Sequence, residues 1–156
     1  MITFFFSIIL AISAYADDSV PTGCTTSRNF SAEAYRTWIS KGVKHEVSAK
    51  GPQSKVIPLG QRVELQLIPK GSEFRGFVSF EISQPGTYVI VSDAYPRMNL
   101  RNLETGENLN PTDFGKIRDC GTVSKALRFQ FTKTRKILLE FVSNQGSALS
   151  TLIWKL

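Results

Sequence analysis

The sequence predicts a mainly β fold, an antiparallel sandwich of jelly-roll type with seven to eight short strands and one short N-terminal helix. Three observations predict it. Residues 76–92, GFVSFEISQPGTYVIVS, alternate Val78, Phe80 and Ile82 on one side, break at Gln84-Pro85-Gly86, and resume with Tyr88, Ile90 and Ser92. Alternation of β-branched and aromatic residues across a Pro-Gly break reads as a β-hairpin with one face in a core. Similar runs recur along the second half of the chain, each bounded by Gly, Pro or Asn. No run alternates a strand with a long helix, which argues against a parallel α/β sheet.

The chain opens MITFFFSIILAISAYA, an apolar run ending in Ala14-Tyr15-Ala16 and followed by Asp17-Asp18. A small-x-small pattern after such a run predicts a signal peptide over residues 1–16, cleaved after Ala16, ahead of a single domain over 17–156. The run is shorter than the roughly 20 apolar residues that a membrane span needs. Residues 17–28 are polar and read as an irregular leader held at Cys24. In FSAEAYRTWISKG, Ser31 suits an N-cap, Glu33 the first turn, Lys41 the last and Gly42 a C-cap, predicting a helix over about residues 32–41. Phe30, Ala34 and Trp38, with Ile39 beside them, form its apolar stripe.

Residues 44–55 are polar and include the single histidine, His45, so they read as a surface connection. Strands follow at 55–57 and at 61–68, where Val63, Leu65 and Leu67 alternate with Glu64 and Gln66. Pro69-Lys70-Gly71 reads as a turn, and the pair within 76–92 comes next. In 97–103, Met98 and Leu100 point inward while Arg97, Asn99 and Arg101 point outward. Residues 108–121 read as a long loop, and strands at 124–131, 136–142 and 148–154 complete the set.

Two cysteines, Cys24 and Cys120, fall in the mature part, and in an exported protein two cysteines most economically form one disulfide. The formal net charge is +6, all of it outside the uncharged leader. A basic exported domain meets anionic partners: acidic glycan, lipid headgroups or an acidic face of a protein. Nucleic acid is not expected, since no RNA- or DNA-binding motif accompanies the charge.

With the strands placed, the chain resembles a group of small exported, uncharacterised proteobacterial β-sandwich proteins. The residues carrying this are Cys24, Glu33 and Trp38, the V-x-L-x-L-x-P strand from Val63 to Pro69, Phe80-Gly86-Tyr88, and the late Cys120, Lys125 and Phe129. The late strands are also similar to the C-terminal β-sandwich modules of secreted peptidases. The resemblance implies a periplasmic sandwich. Some members carry a homogentisate dioxygenase label, but non-haem iron of that class needs two histidines and a carboxylate, and this chain has one histidine. The chain departs from the group at Tyr95-Pro96-Arg97-Met98-Asn99, where a Trp-Ile-Asp-like stretch is usual.

No catalytic set, metal site or cofactor is read from the sequence. His45 lacks a nucleophile motif near it. Asn102, Glu104, Glu107, Asn108 and Asp113 gather oxygens around one loop without EF-hand spacing. Glu81, Asp93 and Asp113 are the carboxylates a hydrolase would use, but they are scattered. The candidate ligand-contact loop is Tyr95, Arg97, Asn99 and Arg101. The candidate basic surface is Lys116, Arg118, Lys125, Arg128, Lys133, Arg135 and Lys136. The expectation is an exported, non-catalytic sandwich that binds a ligand or partner, with a basic envelope-associated protein and a carboxylate hydrolase as alternatives.

Overall fold

The computed structural model describes residues 19–26 and 28–156; the expected leader over 1–16, with its cleavage position, lies outside them. After a helical turn α1 (Thr22–Thr26) and helix α2 (Ala32–Ile39) come twelve described strands. They are β1 (Val43–Glu46), β2 (Lys55–Val56), β3 (Val63–Gln66), β4 (Ile68–Lys70), β5 (Glu73–Ile82) and β6 (Gly86–Ser92). β7 (Arg97–Asn102), β8 (Asn108–Leu109), β9 (Asp113–Lys116), β10 (Lys125–Phe131), β11 (Arg135–Ser143) and β12 (Ala148–Lys155) follow. Sheet I runs β1-β3-β12-β6-β10-β9 and sheet II runs β2-β5-β11-β7-β8, with β4 on β5. The long strands alternate between sheets, so the chain winds as a jelly roll.

The count exceeds the seven to eight strands expected, and the reason is local. β1, β4, β8 and β9 are two to four residues long and carry no hydrophobic alternation. They are strands because an edge of a sheet offers them backbone partners, which no side-chain pattern announces. Two edge pairs, β1 with β3 and β2 with β5, are parallel, so the sandwich is mixed rather than wholly antiparallel.

A second correction concerns residues 76–92. β5 pairs with β11, β4 and β2 in sheet II, whereas β6 pairs with β10 and β12 in sheet I. The stretch is an arch between sheets, not a hairpin. Its alternation identified the inward residues correctly, and Val78, Phe80, Ile82, Tyr88 and Ile90 all lie in the inter-sheet core. Alternation reports which face is buried, not which strand is the neighbour.

β6 is also buried on both faces. Tyr88 and Ile90 face sheet II, while Val89 and Val91 join Phe30, Ala34, Trp38, Ala126, Leu152 and Val123 in a second core on the outer face of sheet I. α2 is the lid of that second core. Ser31 caps it, its Oγ accepting from Ala34 N at 3.1 Å. Trp38 is 1% exposed, and Ile39, at 48%, lies off the stripe. The helix ends at Ser40 rather than at Gly42. Gly42 instead makes room: a Cβ there would stand 2.7 Å from the Glu64 carboxylate. The Cys24–Cys120 disulfide, with Cα atoms 4.8 Å apart and a sequence separation of 96, ties α1 to the loop before β10. Such a bond belongs to an oxidising compartment. No helix among the described residues is long and apolar enough to cross a membrane.

Candidate functional site

Beside α2, the outer face of sheet I is not covered, and a groove of about 750 Å3 opens over β1, β3 and β12. Lys44, Glu46, Glu64, Gln66, Ala148 and Ser150 line it. They alternate with Leu65 and Leu149, which face the inter-sheet core, so these six stand on the outer face. Asp93, at the end of β6, forms the wall, its Oδ1 accepting from Ser150 N at 2.9 Å. The volume is that of a small-molecule site.

The lining mixes apolar surface with polar groups, and several of those polar groups are already held. Glu64 pairs with Arg62 at 3.1 Å, and Arg62 Nη1 donates to Trp38 O at 2.9 Å, which fixes this wall to the helix end. Gln66 Nε2 donates to Ser147 Oγ at 2.6 Å. Glu46 pairs with Lys55, whose hydrogen bond holds the Glu46 carboxyl below its usual range. With Glu46 and Glu64 paired to Lys55 and Arg62, only Asp93 and Lys44 remain outside ion pairs, which leaves the groove near charge balance and suits a neutral polar ligand. His45, expected in an exposed linker, is instead half-buried in β1, in register with Leu65 and at the groove edge.

The expected ligand-contact loop divides between two places. Arg97, Asn99 and Arg101 stand on the outer face of sheet II. There Asn99 Nδ2 donates to Glu140 Oε2 at 2.8 Å, and Arg75 lies between Glu73 at 2.8 Å and Glu140 at 3.6 Å. Tyr95, 44% exposed, sits elsewhere, with Lys116 Nζ 5.6 Å from its ring centroid. The seven basic residues are likewise distributed. Lys116 and Lys125 are cross-strand partners. Arg128 lies on the outer face of sheet I opposite Asp113 and Val89. Lys133 is in the turn before β11, Arg135 stacks 5.8 Å over Phe131, and Lys136 is on the outer face of sheet II opposite Glu81. Arg118 is exposed in the loop whose backbone packs on Gly23.

The three carboxylates named for hydrolysis sit on separate segments of the chain. Glu81 is on β5, Asp93 holds Ser150, and Asp113 on β9 accepts from Asn29 Nδ2 at 3.1 Å. Asn102 Oδ1 accepts from Glu104 N at 2.9 Å, so that side chain serves the turn. The groove was missed in the sequence because β1 carries no alternation and its partner β3 pairs with it in parallel. Comparison with known proteins finds no matching family model and no curated protein with significant sequence similarity.

Proposed function

We propose that this protein is an exported, non-catalytic β-sandwich module that binds a small, neutral polar ligand in the groove over β1, β3 and β12. The observation that carries this reading is the groove itself: about 750 Å3, walled by Glu64 and Asp93, the first held by Arg62 and the second by the Ser150 backbone N–H. Fixed polar walls are preorganised, so binding loses little side-chain entropy. The leader pattern and the disulfide together support the periplasm as the site of action.

The test is a soluble panel of neutral oligosaccharides and short uncharged peptides, screened by thermal shift at low and high salt. Ala148 is exposed on the groove floor, so Ala148→Trp fills it without removing a hydrogen bond. A hit whose affinity persists at high salt and falls at least about tenfold in A148W supports the reading. A hit that A148W leaves unchanged, or binding that collapses with salt, overturns it.

A further inference from the structure

Lys116 on β9 stands directly opposite Lys125 on β10. Both lie on the side of their strands that carries Phe114 and Leu127. Like charges directly opposite in an antiparallel pair are destabilising, and partial burial of Lys125 adds a desolvation cost. Neither ammonium has a carboxylate within ion-pairing distance among the described residues, where the pairs are Lys55–Glu46, Arg62–Glu64, Arg75–Glu73 and Arg75–Glu140.

Other groups hold them. Lys116 Nζ lies 5.6 Å from the Tyr95 ring centroid and Lys125 Nζ lies 5.5 Å from that of Phe114. Lys125 Nζ also donates to Pro96 O at 2.6 Å. Ring faces and a carbonyl orient an ammonium without neutralising it. Two flexible side chains are therefore ordered in advance while their charge stays available. Tyr95 and Phe114 are 44% and 54% exposed, so the cluster opens to solvent. Lysines commonly guard edge strands, and that accounts for Lys116 on the terminal strand β9. It does not account for Lys125, which is half-buried on an interior strand.

We infer that Lys116 and Lys125, flanked by Tyr95 and Phe114, form a binding site for a phosphate monoester. Two adjacent point charges call for a compact group of charge about −1.5 to −2 with several acceptor oxygens, which a phosphate monoester supplies and one carboxylate does not. The site uses different residues from the sheet I groove and stands independently of it.

Calorimetric titration with inorganic phosphate and glucose 6-phosphate tests the soluble form. Flotation with vesicles of phosphatidic acid, a monoester, against phosphatidylglycerol, a diester, tests the lipid form. Binding should saturate and should fall about tenfold or more in K116M and in K125M, while K125R keeps most of it. The double variant K133M/K136M, in the turn after β10 and at the start of β11, removes two charges, one more than either single variant, and should still bind as the parent does. K116M changes an exposed residue, so it keeps the test usable if K125M misfolds. Absence of saturable binding to inorganic phosphate, glucose 6-phosphate and phosphatidic acid overturns the proposal, and so does equal binding of phosphatidylglycerol or an equal loss in K133M/K136M.

Discussion

Trp38 and Thr122 are joined across 84 residues by a 3.0 Å hydrogen bond from the indole Nε1 to the threonine Oγ1. Trp38 is 1% exposed and Thr122 is exposed, so the bond meets the buried indole at the rim of the second core. The bond fixes α2 to the loop that follows Cys120, and with the disulfide it closes the second core.

Replacing Thr122 by valine keeps the shape and leaves a buried N–H without an acceptor. T122V should therefore lose about 1 to 3 kcal/mol in urea denaturation, whereas T122S, which keeps the hydroxyl, should stay within about 0.5 kcal/mol. Equal stability of T122V and the parent would show that the bond carries nothing.

The disulfide constrains a loop of nearly the whole domain. On chain-entropy grounds the C24S/C120S double variant should be less stable by about 4 to 5 kcal/mol. Denaturation of the parent with and without reductant should reproduce that difference. Free thiols in the mass of the unreduced protein would contradict the pairing.

Close approach makes Gly23 irreplaceable. A Cβ there would stand 2.0 Å from Arg118 O and 2.6 Å from Asp119 O, both backbone atoms beside Cys120. G23A should cost about 1 to 3 kcal/mol or prevent disulfide closure. G146A, with nothing within 4 Å of its Cβ, should be neutral within about 0.5 kcal/mol. Equal melting temperatures of the two variants would refute the distinction.

Burial pushes the Lys125 ammonium pKa below its usual value. Between that lowered value and the unfolded value of 10.5, the unfolded chain holds more protons than the folded one. Stability due to Lys125 therefore rises with pH across that window: the charged form is a cost at neutral pH that deprotonation relieves. Tyr88 runs the other way, since burial raises its pKa and its contribution is lost as pH rises through the raised value. The difference between parent and K125M isolates Lys125. It should shift in favour of the parent between pH 7 and about 10, measured by denaturation at fixed salt. A pH-independent difference would remove the desolvation argument.

Much of the scaffold is legible in local residues. The Ser31 cap, the alternation in β3, β5, β10 and β11, the turns at 133–135 and 144–146, and the single cysteine pair all appear as expected. The burial of both faces of β6 departs from the expected single buried face, although Val89 and Val91 make TYVIV a continuous apolar run, the mark of a strand with no solvated face. The candidate sites were not legible. The groove joins Lys44, Glu64, Asp93 and Ser150 from four separate segments, and Lys116 meets Lys125 only through the register of β9 on β10.

By itself, the sequence determined which alternating residues face the inter-sheet core, where the helix begins and which cysteines pair. Each of these follows from one residue's burial, capping chemistry or uniqueness. Tertiary structure alone decided that β5 and β6 part into opposite sheets, that β1 and β9 become strands, and which polar side chains meet. Strand pairing is made by backbone N–H and C=O groups that are nearly the same in every residue, so partner choice leaves no local mark.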